Sequence, residues 1–296
     1  MKKLLDSINI QGFRYFEILI NDNSPDDSVK ELVKTYKGRL EISYEKNEPA
    51  ISATENCNKV MKRSRAPWIK VIHDDDWFAS ADALQQFADA ALHSGKDFIF
   101  CASNQVYLET GKIQPEILDE ERKRMLDDSV FSLFYLNLIG HPSVVMHKRD
   151  DSLEYDPAFN WVLDIDYYVR YLHKHNGYHY IPGTLVNIGK GSGQETSKYY
   201  KNKMVEIPEY FTMLAKYNSN LTLKNIHVFH LVWNMLKRFR IKNVADIHAL
   251  GYAGVMPDKL EEIIKCQQRI PRIILKQPGW SKVFVIKCFK KINQGL

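Results

Sequence analysis

Apolar and polar positions switch between two periods along the first hundred residues. Leu4, Leu5 and Ile8 fall on one side of a helix over residues 2–10. Residues 16–20 (FEILI) form a short apolar run broken by Asn21-Asp22-Asn23-Ser24-Pro25, which reads as a strand and a turn. A helix over 29–33 follows, with Asp27 or Ser28 as its cap. Residues 40–44 alternate like a strand, and 54–63 carry a helical pattern. Residues 68–72 (WIKVI) read as a buried strand that ends at His73-Asp74-Asp75-Asp76-Trp77. A helix over 81–93 and a strand over 97–101 complete the pattern. Strands that alternate with helices predict α/β layering around a mixed, mostly parallel sheet. Ligands of such sheets bind beyond the carboxyl ends of the strands, and two strands here end in acidic loops, at Asp22 and at residues 74–76. The chain is less regular over 126–193 and largely helical from Tyr199. It divides on this pattern into an α/β domain over 1–198 and a helical region over 199–296.

Composition narrows the class. The chain has 296 residues, 45% hydrophobic and 26% charged, which excludes a disordered, collagenous or coiled-coil protein. No apolar run reaches the ~20 residues that span a bilayer, and the first residues lack a signal-peptide pattern. The four cysteines stand apart, without CxxC spacing, so a reducing cytoplasm is the expected location. Charge is unevenly placed. Residues 221–296 hold fourteen Lys/Arg against four Asp/Glu, and the other 220 residues hold 27 against 32. An acidic body with a basic tail suits phosphates, an anionic membrane or a partner.

Three acidic groups are candidates for chemistry. Adjacent carboxylates at Asp74, Asp75 and Asp76 repel unless a cation or hydrogen-bond donors compensate, and oxygen-rich sites suit Mg²⁺ or Mn²⁺. A solvated acidic turn is the plainer account. Asp22 at a strand end can accept from a base N–H or a ribose hydroxyl, or simply form an Asx turn. Asp164 and Asp166, if helical, diverge by about 200°, so one can face a cleft while the other pairs with Arg170 at i+4. His73 and His141 are further candidate ligands. Gly189-Lys190-Gly191-Ser192-Gly193 lacks the spacing of a phosphate loop.

In order along the chain, these segments resemble the family 2 glycosyltransferases of the GT-A fold, a Rossmann-related architecture. Leu5-Asp6-Ser7-Ile8 with Gln11, then residues 16–26, are similar to the family's first helix and its strand of the type "fEiiivDdgStD". Asn21 stands for the usual first Asp and Asn23 for the usual Gly. Asn47, Asn56 and Asn58 match an Asn-rich stretch. Residues 68–77 resemble "yikfLdsDDwl", with His73 at the first position of the DxD-like motif. Residues 137–143 resemble the segment before the acceptor region. Leu163-Asp164-Ile165-Asp166 with Arg170 resembles "ED-w-D---R". The resemblance covers about residues 2–195 and starts inside the family's first helix, so the strand and loop that usually precede it are not matched. After Val186-Asn187 the Arg and His of many relatives are replaced by Ile188-Gly189-Lys190-Gly191.

The resemblance implies a hexosyltransferase-like transferase that uses a UDP- or dTDP-linked sugar and a saccharide or lipid-linked acceptor, as in bacterial cell-surface polysaccharide synthesis. It implies that Asp22 and Asp74 bind the nucleotide sugar, that Asp75 holds Mn²⁺ or Mg²⁺, and that Asp164 is the base of an inverting displacement. Asp166 and His141 are expected on the acceptor side. The basic tail, at residues 237–240 and 273–291, is expected to meet an anionic membrane, which makes the protein peripheral at the inner face of the plasma membrane. A relative that binds a nucleotide sugar or glycan without transfer is the main alternative. A nucleotidyltransferase would need a phosphate loop near the N-terminus, and no nucleic-acid module is present.

Overall fold

The computed structural model describes residues 1–175, 177–191, 199–218 and 222–294. By packing, the chain separates into two units, one of residues 1–124 and 138–194 and another of 125–137 and 195–296. Residues 125–137 thus cluster with the C-terminal helices rather than with the α/β part around them.

The first unit begins with helix α1 (Lys2–Asn9), strand β1 (Ile18–Asp22), helix α2 (Ser28–Lys34), strand β2 (Ile42–Lys46) and helix α3 (Ala53–Arg63). A capping box starts α3: the Ser52 hydroxyl accepts from the Glu55 N–H, and the Glu55 carboxylate accepts from the Ser52 N–H. Strands β3 (Trp68–Lys70) and β4 (Trp77–Phe78) flank the acidic loop, and helix α4 (Ala83–His93) leads into β5 (Phe98–Tyr107) and β6 (Ile113–Glu116). Helix α5 (Glu120–Asp128) and helix α6 (Ser132–Tyr135) run to a 3-10 turn (Pro142–Val144), β7 (Val145–Lys148), α7 (Leu163–Lys174) and β8 (His179–Lys190).

The expected mixed sheet flanked by helices is present, with fewer parallel pairs than the alternation suggested. β1 pairs with β2 in parallel, Asp22 opposite Lys46. A second sheet runs β3-β7-β5-β8-β4, with β6 on β5; among the described residues only β5–β8 is parallel there. The short strands β3, β4, β6 and β7 all pair antiparallel, which needs no helical crossover. The core of this unit lies around Phe98, Phe100, Tyr167, Tyr168, Tyr171, Phe87 and Val186, all buried.

Among the described residues six helices follow in the second unit: α8 (Lys203–Lys216), α9 (Ile226–Phe239), α10 (Val244–His248), α11 (Leu260–Gln268), α12 (Arg272–Lys276) and α13 (Pro278–Gln294). Asn225 caps α9 by accepting from the His227 and Val228 N–H groups. Trp233, Phe229, Phe211 and Met235 fill the core, and Phe134 of α6 packs on Tyr217 with ring centroids 5.4 Å apart. Among the described residues no helix is long and apolar enough to cross a membrane.

Candidate functional site

The acidic loop between β3 and β4 is folded around Asp76. The loop leaves β3 apolar and re-enters β4 apolar, so its polar residues 73–76 bulge at the sheet end. Asp76 N–H donates to the His73 carbonyl at 3.2 Å, which closes the turn. Asp76 itself is buried. Its Oδ1 accepts from the Gly189 N–H of β8 at 3.0 Å, and Ser143 also hydrogen-bonds its carboxylate. Burial raises the Asp76 carboxyl above its usual range, with these two donors and His73 pulling the other way and the charge of Asp75 adding to the rise.

Ser143 is the second anchor. Fully buried, it accepts the His73 N–H at its Oγ, 2.9 Å away. Its carbonyl accepts from Lys70 Nζ, which also donates to the Val71 carbonyl at 3.1 Å. The Lys70 ammonium lies 5.0 Å from the Phe87 ring centre and 5.9 Å from that of Phe78. Burial there lowers it to about 8. β3, the 3-10 turn and β8 therefore hold one loop from three sides.

The result is a group of ligand atoms. His73, Asp75 and Asp76 each place one such atom within 4.8 Å of the others. Two carboxylates and an imidazole suit Mn²⁺ or Mg²⁺ in chemistry and charge. Asp74 is outside this group; it is largely exposed, with its carboxylate 3.9 Å from the Met1 ammonium.

Gly189 fits the loop because a Cβ there would overlap the Asp75 carbonyl oxygen. The next residue, Lys190, donates from Nζ to His141 Nε2 at 3.1 Å. An imidazole nitrogen that accepts from an ammonium is unprotonated. Burial first, then the charges of Lys190 and His73, lower His141 to about 4. His141 is thus neutral near pH 7, and Lys190 keeps a cation beside the acidic group. Of the GKGSG stretch, Gly189 and Lys190 end β8, and Ser192 and Gly193 lie outside the described residues.

Asp22 ends β1 and is buried. Ser24 donates to its Oδ1 from both N–H and hydroxyl, at 2.8 and 2.6 Å, and Tyr44 O–H donates to Oδ2 at 2.7 Å. Burial pushes this carboxyl up, but the Ser24 and Tyr44 bonds and Lys46 hold it below its usual range. Asn47, Asn23 and Asn56 bind one another close by: Asn47 Nδ2 reaches Asn23 Oδ1 at 3.0 Å and Asn56 Oδ1 at 2.7 Å. Asn58 instead ties α3 to Tyr155, through its carbonyl and its N–H, both at 2.8 Å.

Asp164 and Asp166 separate as a helix requires. Asp164 is half-buried in the first turn of α7, and its Oδ1 accepts from the Ile165 N–H at 2.9 Å. Asp166 is 0% exposed, and its Oδ2 takes Arg170 Nε at 2.8 Å and Nη2 at 2.7 Å. Arg170 also donates to the Glu154 carbonyl at 2.6 Å. Asp166, expected on the acceptor side, is enclosed and fixes α7 through Arg170. One turn on from Asp164, Tyr168 O–H donates to the Gly140 carbonyl at 3.2 Å, which ties α7 to the residue before His141.

Ser143, Gly189, Lys190 and Lys70 had no role in the sequence reading beyond their place in quoted segments. Ser143 lies 70 positions from His73 and 73 from Lys70, and no local spacing announces such pairs. A separate groove lies between α3, the start of β3 and residues 149–154. Its charges are ion-paired, Lys62 with Glu154 at 2.8 Å, Arg149 with Asp151 at 2.6 Å and Asp150 with Lys174 at 2.6 Å, so it offers less chemistry than the acidic loop.

Comparison with known proteins bears on the family and the fold. The model of the family "Glycosyl transferase family 2" matches residues 1–153. No curated protein matches the sequence. Residues 1–349 of TarS from S. aureus, in complex with UDP-GlcNAc, are similar in structure, with a TM-score of 0.62 and 14% identity over 99% of this chain and 86% of that one. The chain covers 52% of the longer TarS structure, with 12% identity and a TM-score of 0.56. The mannosyltransferase PcManGT from Pyrobaculum calidifontis, in complex with GDP-Man and Mn²⁺, is similar at a TM-score of 0.55 and 10% identity, over 97% of this chain and 81% of that one. At such identities the likeness is one of fold.

Proposed function

The chain belongs to glycosyl transferase family 2, and from that premise we propose that it transfers a sugar from a nucleotide-activated donor to an acceptor hydroxyl, with inversion and with help from a divalent cation. The single observation that carries this reading is the convergence of His73, Asp75 and Asp76 on one point, beside the Lys190–His141 pair. His73, Asp75 and Asp76 are the residues that would hold the cation. When bound, it would supply Lewis-acid neutralisation of the donor diphosphate.

The chain's own groups do the rest. Asp22 accepts from the base, and the bonds from Ser24 and Tyr44 fix its carboxylate before the base arrives. Asp74 binds the ribose or diphosphate from its exposed position. Lys190 counters the negative charge that grows on the departing diphosphate, and neutral His141 aims the ammonium without competing for that charge. Asp164 accepts the acceptor's hydroxyl proton as the oxygen bonds to the anomeric carbon. The bond from that carbon to the diphosphate oxygen breaks with its electron pair on the diphosphate. Attack from the face opposite the leaving group inverts the centre.

A uracil or thymine donor fits Asp22 best. Ser24 and Tyr44 already use three of the roughly four lone-pair positions of its carboxylate, which leaves room for a single imide N–H. The acceptor is a saccharide or lipid-linked saccharide in bacterial cell-surface polysaccharide synthesis, and the protein works in the cytoplasm.

Release of UDP or dTDP from a panel of nucleotide sugars, with a saccharide acceptor and Mn²⁺, tests this reading. Wild type should turn over one donor class, and Asp164→Asn should lose about 10²–10⁴-fold in kcat while it still binds donor. Donor binding without any turnover would favour a binding protein over an enzyme.

A further inference from the structure

Helix α13 is docked by one face and leaves the other to solvent. Ser281, Val285 and Cys288 are buried, and Phe289 meets Phe229 edge-on with centroids 5.4 Å apart. Lys259 Nζ fixes the far end through the Ile292 carbonyl at 3.1 Å and Asn293 Oδ1 at 3.0 Å. The helix is therefore held without its outer face.

That outer face is split along its length. Trp280 (61% exposed), Val283 and Ile286 occupy the first half. Lys287, Lys290 and Lys291, all exposed, occupy the second. At 100° per residue, Trp280, Val283, Lys287, Lys290 and Lys291 share a sector about 100° wide, with Ile286 at its edge. Just before it, α12 leaves Ile273 75% exposed and Lys276 exposed. From Ile263 to the last residue the sequence has eight Lys/Arg and no Asp or Glu. A tryptophan and branched apolar side chains, rimmed by lysines and free of acids, complement a surface that is apolar below and negative above.

We propose that this face docks the protein on an anionic lipid bilayer, with Trp280, Val283, Ile286 and Ile273 in the headgroup boundary and the lysines on the lipid phosphates. In the other basic stretch, expected in the same role, Lys237 and Arg238 are engaged inside their own unit. Arg238 is ion-paired with Glu206, and Lys237 Nζ lies 3.2 Å from Ser281 Oγ. The docking face is thus narrower than the charge pattern alone suggested. It does not depend on the transferase reading.

Co-sedimentation of the full chain with vesicles of phosphatidylcholine alone, or with 30% phosphatidylglycerol (about one lipid in three anionic), tests this. We expect pelleting with the anionic vesicles only, weakened by salt. The triple variant W280S/V283S/I286S and the triple variant K287Q/K290Q/K291Q should each lower the bound fraction about tenfold, with unchanged circular dichroism and thermal midpoint. Equal binding to neutral and anionic vesicles, or none to either, overturns the proposal. So does binding that the serine variant leaves intact, which is plain charge adsorption. A dimer in sedimentation velocity that the serine variant dissociates assigns the face to a second copy and overturns it too. Duplex DNA that binds more tightly than the anionic vesicles would assign it to nucleic acid.

Discussion

Single atoms decide the candidate site. Gly189 has no side chain because the Asp75 carbonyl already fills that space. Gly189→Ala should therefore cost about 2 kcal/mol of stability and move the loop that carries Asp75 and Asp76; urea melts and a loss of Mn²⁺-dependent thermal shift check both effects. Lys190→Ala should lower kcat/KM for the donor about 10²-fold, whereas His141→Asn, which keeps an acceptor near Nζ, should lose less. Steady-state kinetics of the two variants decide whether the pair acts as described. His147 gives a pH signature. It is buried, with Tyr167 O–H 3.2 Å from its Nε2, and burial lowers it to about 4. The unfolded chain, with an imidazole near 6.5, binds the proton more readily. Stability is thus fully present above about pH 6.5 and is lost as pH falls through 4, by about 3 kcal/mol. His147→Gln should flatten the thermal midpoint between those values; a variant with the wild-type slope would remove His147 as its source. The acids at 22, 75 and 164 stand out in the sequence because they fall at strand and helix ends that the pattern predicts. Ser143 and Gly189 do not, since a buried serine and a close-packed glycine signal only through partners distant in sequence.

Elements were legible where one period dominated. Helices α1 to α4 and strands β1 to β3 lie where the alternation places them, with ends shifted by one or two residues, and β5 starts there but runs six residues past its expected end. Strand β8 was hidden by its own Pro182-Gly183. Its register with β5 runs from Cys101 opposite Ile181 directly to Ala102 opposite Thr184, so those two residues bulge out of the ladder. β7 is only four residues long and follows a 3-10 turn, too short for a period to show. Helix α7 is the element on which the Asp164 reading depends, and the buried Asp166–Arg170 pair secures it. Arg170→Leu should cost about 3–5 kcal/mol because it takes the paired cation away from a buried carboxylate. The double variant D166N/R170L should recover much of that, and chemical denaturation of both will show whether the pair acts as a unit.

At the scale of the whole molecule, the sequence pattern expects an α/β part followed by a helical part, and the packing separates two units. They differ over residues 125–137, whose apolar Leu133 and Phe134 are buried among the helices of the second unit. No composition shift marks that excursion, so the pattern along the chain could not place it. The charge division has a physical counterpart. Acidic groups collect at the strand ends of the first unit, and exposed lysines lie on α12 and α13 of the second. The central claim is that the first unit holds a working donor site on its acidic loop. Its most direct test is the thermal shift of the purified chain with UDP, dTDP or GDP, each with and without Mn²⁺, beside Asp75→Ala. The account predicts a rise with a pyrimidine nucleotide that requires Mn²⁺ and vanishes in Asp75→Ala. A cooperatively folded protein that responds to no nucleotide, or whose response survives Asp75→Ala unchanged, would contradict it.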